Sequence, residues 1–212
     1  FTTVQDLGRY GFQKIGVPVS GAVDFYAARV ANLLAGNEPQ KAVLEMTVVG
    51  CTLAALKPAW VALAGADAVV KLNGKAKPLW TSFQLSPGDL LSIDKVRQGC
   101  RIYMAVAGGF DVPLVMGSRS TNVQAGLGGH HGRPLQKGDF LPAGEAESIP
   151  PGTSVPAEFI PDYAVEVVLR CIPGPEEEFF QAGGKGLYEA AYSVSAQADR
   201  RGIRLEGPRL EH

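Results

Sequence analysis

This sequence lacks the charge pattern that marks nucleic-acid or membrane binding. Its 212 residues carry 20 Lys and Arg against 21 Asp and Glu, a formal net charge of −1, with no run of basic residues. Clustered Lys and Arg form the electrostatic footprint of proteins that bind nucleic acids or anionic membranes. The composition therefore predicts no nucleic-acid and no membrane partner, and it favours neutral small molecules or other proteins.

Long apolar runs and a secretory leader are also missing. No apolar run approaches the roughly 18 residues of a membrane-spanning helix, and the first residues lack the charged, apolar and small-residue order of a signal peptide. We therefore expect a soluble, cytoplasmic protein. The sequence begins with Phe1 and not with Met, and we expect residues to be missing before it.

Cysteine and histidine are scarce, with three of each. Cys51, Cys100 and Cys171 are widely separated among apolar or strand-like neighbours, which favours buried reduced thiols over a disulfide framework. His130 and His131 are adjacent, and neighbouring residues on an extended chain point to opposite faces, which disfavours joint metal ligation. We expect a mobile loop there, and no metal site is predicted.

Glycine and proline are abundant, at 26 and 15 residues. They fall at short intervals, as in barrels and sandwiches, and the apolar runs between them predict strands. The predicted strands lie at residues 60–63, 68–72, 90–93, 101–106 and 165–172. Asn73 and Gly74 separate VVKL from KAKPLW, which predicts a tight hairpin with a type I′ turn. The fold class is therefore predicted to be mainly β.

One clear α-helix is predicted near residues 24–35, in DFYAARVANLLAGN. Four apolar residues recur at helical spacing on one face: Tyr26, Val30, Leu33 and Leu34. Asp24 is the predicted N-cap, and Gly36 ends the helix. A second, shorter helix is expected to begin in PGPEEEFFQ, where two prolines precede three acidic residues.

A proline-rich stretch predicts a domain boundary. Residues 142–161, PAGEAESIPPGTSVPAEFIP, hold five prolines and should form an exposed connector. The predicted limits are 1–150 for an N-terminal domain with one helix, 151–163 for the connector, and 164–212 for the start of a second, incomplete domain.

The opening segment, residues 2–24 (TTVQDLGRYGFQKIGVPVSGAVD), carries polar groups on a glycine-rich loop. Its glycines interrupt regular structure, and polar side chains on a loop braced by neighbouring elements are common in functional sites. The candidates are Gln5, Asp6, Arg9, Ser20 and Asp24. In the alternative interpretation, Asp6 and Arg9 only pair across a turn and Asp24 only caps the helix. A substrate anion could also share the helix N-terminus with Asp24.

Long motifs, in order along nearly the whole chain, carry a family resemblance. They are the opening segment, AARVANLLAGN, VLEMTVVG, ALAGAD, AVAGGFDVPLVMGSRST, GGHHGRPLQKGD and ADRRGIRLEG. Together they resemble the KipA family, also called allophanate hydrolase subunit 2 or the biotin-dependent carboxyltransferase family. Members resemble one half of the carboxyltransferase region of urea carboxylase, and the other half is KipI-like. Bacterial versions serve as the C subunit of an ATP-dependent 5-oxoprolinase.

The resemblance implies two β-barrel-like units, the second of which is cyclophilin-like. Arg201 and Val23 stand where the family usually has Met, so the apolar support around the site is expected to differ. The family usually continues beyond RLEGP. We therefore expect the second barrel to be truncated, with an edge that is mobile or paired with another chain.

The implied chemistry assigns roles to the candidate residues. Arginine suits the binding of a carboxylate and of a developing oxyanion, which points to Arg9, Arg119 and Arg200. A carboxylate suits proton acceptance, which points to Asp24 or Asp6. We predict Asp24, Arg9 and Arg119 as catalytic residues. The predicted substrate-binding residues are Gln5, Asp6, Ser20, Glu45, Asp199 and Arg200, and the resemblance favours a buried acid at Glu45 over an outward strand residue.

Two classes of function remain open. The first is a subunit of a 5-oxoprolinase or of a urea carboxylase-like carboxyltransferase, which acts on 5-oxoproline, urea or allophanate and is inactive without a KipI-like partner. ATP and/or carboxybiotin would reach it through partner subunits, because no GxxxxGK[ST] signature is present. Further partners would be a 5-oxoprolinase A-type subunit or a biotin carboxylase. The alternative is a non-catalytic regulator that binds a KipI-type kinase inhibitor.

Overall fold

An antiparallel sheet built on two long strands organises the first part of the protein. The computed structural model describes residues 1–146, 152–180, 184–200 and 202–210, and the chain divides into two units, Phe1–Val165 and Glu166–His212. Within its described residues, the first unit holds seven strands of one sheet: β1 (Thr2–Gln5), β2 (Val43–Thr47), β3 (Thr52–Ala54), β4 (Ala59–Leu72), β5 (Lys75–Lys77), β6 (Thr81–Leu85) and β7 (Leu90–Val106). The predicted mainly β fold is confirmed.

The paired strands β4 and β7 form the spine of the sheet. The strand order is β1-β2-β7-β4-β5, with β3 also paired to β7 and β6 to β4. The predicted strands at 60–63 and 68–72 are parts of β4, and those at 90–93 and 101–106 are parts of β7. Each pair of short predictions therefore belongs to one long strand.

The spine is irregular near its middle, at Gly65. The register of β4 against β7 shifts three times between Gly65 and Val70. Gly65 has a φ of 119°, and a Cβ there would lie 2.4 Å from the carbonyl oxygen of Arg101. On one side of this irregularity β2 and β6 flank the spine, and on the other side β3 and β5 do. The bulge thus lets one strand pair carry two sets of neighbours.

The hairpin predicted at Asn73-Gly74 is confirmed. Leu72 pairs with Lys75 across the turn, and the φ angles of Asn73 and Gly74 are 51° and 79°. Both central residues have the positive φ that a type I′ turn requires.

Alternating residues of the central strands supply two apolar clusters. One cluster takes Leu44, Met46, Leu63, Ile102 and Met104. The other cluster contains the residues that alternate with these along the strands: Val43, Ala62, Ala64, Tyr103 and Ala105. It also contains buried residues of the helix α1 (Phe25–Leu34). This period of two places both faces of the sheet in contact with apolar side chains.

Helix α1 confirms the predicted helix, but only part of its predicted apolar face is buried: Leu34 is buried and Val30 packs against the core, whereas Tyr26 and Leu33 are not buried. The buried residues are Ala27, Ala28, Ala31, Asn32 and Leu34. Tyr26 is 45% exposed and Leu33 is 57% exposed. The helix packs against small side chains, including Ala62 and Ala105, and a face of alanines allows a close approach that bulky residues would prevent. Packing against the sheet therefore places the alanines, and only part of the predicted apolar face, towards the core.

The second unit contains little regular structure. It has a 3-10 turn at Glu177–Phe179, a short helix α2 (Gly186–Glu189), and two paired strands, β8 (Ser193–Val194) and β9 (Leu205–Glu206). The strand predicted at 165–172 is wrong, because those residues have no ladder partner and Val168 is 94% exposed. The helix predicted to begin in PGPEEEFFQ is not an α-helix in its described residues, where a 3-10 turn forms at Glu177–Phe179, since a short helix without tertiary packing is marginal. Its continuation at 181–183 lies outside the described residues.

Other expectations are corrected or stay open. Cys100 and Cys171 are exposed, so the expected burial is wrong for them, whereas burial raises the pKa of the Cys51 thiol. Residues 152–165 fall within the first unit. The limits 1–150, 151–163 and 164–212, and the cyclophilin-like second domain, stay predictions. In the described ranges, no helix is long and apolar enough to cross a membrane.

A matched pair of glycine substitutions tests the spine. Gly65→Ala and Gly74→Ala both place Cβ at a positive φ, which costs about 1–2 kcal/mol per residue. Only Gly65→Ala also meets a backbone atom, whereas nothing lies within 4 Å at Gly74. We expect Gly65→Ala to lower the free energy of unfolding by clearly more than Gly74→Ala in urea denaturation. Equal losses would contradict the close approach at Gly65.

Candidate functional site

The opening segment forms a loop that is closed at its base. The backbone N–H of Arg9 donates to the carbonyl of Val19 at 2.6 Å, and the N–H of Ala22 donates to the carbonyl of Asp6 at 2.8 Å. Gly21 fits only as glycine, since its φ is 86° and a Cβ would lie 2.8 Å from the backbone nitrogen of Gly8. Asp6, Arg9 and Ser20 thus lie on a braced loop, as predicted, whereas Gln5 is the last residue of β1, so the loop prediction is wrong for Gln5.

The carboxylate of Asp6 joins this loop to residues 115–121. Its Oδ1 accepts from the N–H of Gly8 at 2.8 Å and from the hydroxyl of Ser118 at 2.7 Å. Its Oδ2 accepts from the N–H of Arg119 at 2.5 Å, and the hydroxyl of Ser120 also donates to Oδ1. Protein donors therefore engage both oxygens, and Asp6 sets the conformation of the 118–120 turn.

Arg9 and Gln5 are fully buried against the same residues. Arg9 donates from Nε to the carbonyl of Val115 at 2.9 Å and from Nη2 to the carbonyl of Ser120 at 3.0 Å. Gln5 donates to the hydroxyl of Thr3 and to the carbonyl of Thr121. Among the described residues, Asp6 and Arg9 form no ion pair with each other. The alternative interpretation, in which these two residues only pair across a turn, is therefore wrong.

A buried acid and a tyrosine anchor the end of the opening segment. Glu45 is 1% exposed, and the Tyr103 hydroxyl donates to its Oε2 at 2.8 Å. The N–H of Val23 donates to Glu45 at 2.9 Å, and the N–H of Asp24 donates to the Tyr103 hydroxyl at 2.8 Å. Arg101 Nε lies 3.8 Å from Glu45 Oε1. Burial and then the charge of Glu45 raise the pKa of Tyr103.

Asp24 uses both carboxylate oxygens. Oδ1 accepts from the N–H of Ala27 at 2.9 Å, which confirms the predicted N-cap. Oδ2 accepts from the hydroxyl of Tyr163 at 2.9 Å. Burial and then this hydrogen bond raise the pKa of Tyr163. Asp24 is therefore both a cap and a carboxylate held by a second protein group.

Arg119 directs its side chain into a separate cleft. Its Nε donates to the carbonyl of Val112 at 2.9 Å, and its Nη2 pairs with Asp111 at 3.0 Å. The cleft has a volume of about 170 Å³ and is also lined by Lys41, Glu145 and the glycines at 108 and 144. The Arg119 side chain is 34% exposed. It is thus reachable from solvent, whereas Arg9 is not.

The structure brings the predicted residues into two linked groups. Gln5, Asp6 and Arg9 contact residues 115–121, whereas Glu45 and Asp24 meet at Tyr103. The backbone of residues 22–24 joins the groups, since its N–H groups bond to Asp6, Glu45 and Tyr103. The guanidinium groups of Arg9 and Arg119 bond to different carbonyls. Convergence of all these side chains on one cleft stays a prediction.

The remaining predicted residues lie elsewhere on the chain. Ser20 has a φ of 59° in the opening loop. Asp199 and Arg200 lie in the second unit, in the turn between β8 and β9, where the N–H of Asp199 donates to the carbonyl of Gly202. Their assignment as substrate-binding residues stays a prediction.

Sequence reasoning missed Tyr103, Tyr163 and Lys41. Tyr103 has a weak signal, because it alternates with the apolar residues Ile102 and Met104 on a predicted strand. Tyr163 has none, since it meets Asp24 across 139 positions of the chain. Lys41 is an ordinary exposed lysine in the sequence, and only the fold places it beside Arg119. In the described ranges, no three His, Cys, Asp or Glu side chains are arranged to hold a metal ion.

The fold and these motifs define a carboxyltransferase-domain protein. The family model "Carboxyltransferase domain, subdomain A and B" matches residues 15–212, and the chain belongs to this family. The chain is 39% identical, over its whole length, to the C subunit of the 5-oxoprolinase of Escherichia coli (strain K12). It is 33% identical, over 98% of its length, to the urea amidolyase of Saccharomyces cerevisiae. The resemblance to biotin-dependent carboxyltransferases is confirmed.

A solved structure agrees with these relatives. The crystal structure of the K. lactis urea amidolyase matches 99% of this chain with a TM-score of 0.89 and 32% identity. The chain spans 67% of the E. coli relative, 12% of the S. cerevisiae relative and 14% of the solved K. lactis chain. It therefore corresponds to only a small part of the urea amidolyases.

The buried tyrosines generate a prediction about alkaline pH. The folded pKa values of Tyr103 and Tyr163 are raised above the ordinary value of about 10. Their contribution to stability is therefore fully present below about pH 10 and is lost as the pH rises through the folded pKa values. In an absorbance titration, we expect these two of the six tyrosines to ionise only as the protein unfolds.

A substitution at Tyr103 measures how much its hydrogen bonds contribute to the free energy of unfolding. Tyr103→Phe removes one hydrogen-bond donor to Glu45 and the acceptor of the Asp24 N–H, and the loss of such a buried hydroxyl partner costs about 1–3 kcal/mol. Tyr10→Phe is the control, because Tyr10 is 61% exposed. If Tyr103→Phe unfolds in urea like the control, the anchoring role of Tyr103 is wrong.

Proposed function

We propose that this chain is a C-type subunit of a bacterial ATP-dependent 5-oxoprolinase, which acts on the small cyclic amide 5-oxoproline. The identity of 39% to the E. coli 5-oxoprolinase relative, against 33% to the S. cerevisiae urea amidolyase, supports this choice. The second candidate is a part of a urea carboxylase-like carboxyltransferase that acts on urea or allophanate. The urea amidolyase relatives and the similarity to the K. lactis structure favour it.

The cleft that contains Arg119 carries the proposal. Arg119 and Lys41 place two cations on a lining that also holds the carboxylates of Asp111 and Glu145, and the planar guanidinium of Arg119 suits a substrate carboxylate or a developing oxyanion. The present partner of Arg119 is Asp111, whose side chain is 60% exposed. Exposed ion pairs contribute only about 0–1 kcal/mol. A substrate carboxylate could therefore replace Asp111 at little cost.

Asp24 is the proposed proton acceptor. Helix capping occupies Oδ1, and Oδ2 accepts from the Tyr163 hydroxyl. A substrate N–H would take the place of that hydroxyl on Oδ2, while the cap stays intact. Tyr163 thus keeps the carboxylate oriented until a substrate arrives.

Partners complete the proposed enzyme. A KipI-like subunit would supply the other half of the site, and ATP and/or carboxybiotin would be held through partners such as a 5-oxoprolinase A-type subunit or a biotin carboxylase. The E. coli relative is named as one subunit of a 5-oxoprolinase, which indicates further subunits in that protein. We propose that the present chain alone is inactive.

The first test removes the arginine of the cleft. Arg119→Ala is compared with Arg97→Ala, which deletes an exposed arginine paired with Asp67 at 2.7 Å. In the complex reconstituted with its partners, we expect Arg119→Ala to lower kcat for 5-oxoproline by about 10²- to 10³-fold, the effect of losing one oxyanion donor. Arg97→Ala should turn over like the parent.

The outcomes separate the candidate functions. Parent-like turnover by Arg119→Ala, or turnover by the isolated chain, would contradict the proposed roles. Turnover of urea or allophanate and not of 5-oxoproline would favour the carboxyltransferase. A complex that assembles but converts none of the three amides would favour the regulator that binds a KipI-type inhibitor.

The second test separates cap from catalyst at Asp24. Asn caps helices about as well as Asp, so Asp24→Asn should melt like the parent, whereas Asp24→Ala should cost about 0.5–2 kcal/mol. If Asp24 is the base, Asp24→Asn should lower the rate by about 10²- to 10⁴-fold. An Asp24→Asn complex with parent-like melting and rate would show that Asp24 is only a cap.

A further inference from the structure

A second cleft is lined by a glycine-rich loop that the proposed amide chemistry does not use. Residues 126–132, which we call the glycine loop, line a cleft of about 410 Å³ together with Pro113 and Val115. The φ angles at Gly128, Gly129 and His131 are 66°, 54° and 56°. This cleft shares no lining residue with the cleft of Arg119.

Several backbone N–H groups of the glycine loop lack an acceptor. The N–H groups of Leu127 and Gly129 donate to the carbonyls of Asn122 and Arg119. Among the described residues, the N–H groups of Gly128, His130 and His131 have no acceptor. Successive N–H groups around residues of left-handed conformation form concave sites that attract anions.

A buried cation lies directly behind this loop. Arg9 is 0% exposed and donates from Nε to the carbonyl of Val115, a residue of the cleft lining. A Cβ on Gly128 would lie 2.6 Å from Arg9 Nη2, so the guanidinium touches the backbone of the loop. Arg9 Nη1 is buried without a hydrogen-bond partner among the described residues.

The charge of Arg9 is not paired within the described part of the chain. No carboxylate there lies within 4 Å of its guanidinium, and the oxygens of Asp6 are engaged by other donors. Near the loop, Asp139 is paired with Arg133 at 2.7 and 2.8 Å, and this pairing lowers the pKa of Asp139 far below its ordinary range. An unpaired buried charge is costly, so its position indicates a counter-charge from a ligand.

We propose that the glycine-loop cleft binds a small oxyanion, a phosphate or a carboxylate, through the N–H groups of Gly128, His130 and His131 and the charge of Arg9. The glycines are needed because Cβ atoms at Gly128 and Gly129 would lie 2.2 Å and 1.8 Å from atoms of Ser120 and Thr121. The loop can therefore lie directly over Arg9. The inference does not rest on the proposed amide chemistry.

The test changes the charge at the cleft without touching a buried residue. His131 is exposed and has a positive φ, which Asp and Asn both tolerate well. His131→Asp adds an anion to the cleft, and His131→Asn is its uncharged control. Backbone amide chemical shifts of the purified protein are followed during titration with inorganic phosphate and, separately, with acetate.

We expect the shifts to centre on the amides of Gly128, His130 and His131. The dissociation constant should rise by about tenfold or more in His131→Asp, since the added negative charge repels a bound anion. His131→Asn should bind like the parent. A response to phosphate alone, to acetate alone or to both supports the site and identifies its ligand chemistry.

Three results would overturn the proposal: no response to either anion, equal affinity in the Asp and Asn variants, or shifts that centre on Lys41 and Arg119. Arg9→Met removes the buried charge at similar volume and should abolish the response. Because Arg9 also donates hydrogen bonds to two backbone carbonyls, the melting temperature of the Arg9→Met variant is measured first. The His131 pair decides the proposal even if Arg9→Met does not fold.

Discussion

The hydrogen bond between Glu45 and Tyr103 is the contact on which the end of the opening segment depends. It joins β2 to β7 on the face that packs against α1. Glu45 also accepts a hydrogen bond from the N–H of Val23, and the Tyr103 hydroxyl accepts one from the N–H of Asp24. A buried carboxylate is costly unless donors surround it. Meeting that requirement fixes where the opening loop ends and where the helix begins.

A second constraint is the close packing of backbone on backbone. The alanine face of α1 meets alanines of β4 and β7, and Gly65 lets the spine strands touch. At Gly65 the interior has no room for even one added carbon, as expected for a close-packed core.

Some of the polar candidate residues are buried and hold the structure together, whereas Arg119 is partly exposed to solvent. Asp6 and Arg9 form hydrogen bonds with residues 115–121, and the side chain of Arg119, in the same segment, is partly exposed to solvent. A single segment therefore supplies a buried cation behind one cleft and an exposed cation inside another. These two cations are the basis of the substrate site proposed at Arg119 and of the anion site proposed at the glycine loop.

The sequence alone determined the local features and the family. Asn73-Gly74 predicted its hairpin, Asp24 its cap, and long motifs the carboxyltransferase family, because turn geometry, capping and motif identity depend on neighbouring residues. Only the tertiary structure decided which face of α1 is buried, that Tyr163 reaches Asp24 across 139 positions, and that Arg9 and Asp6 do not pair. Those outcomes depend on contacts between distant segments and on the space left between them, which no local pattern encodes.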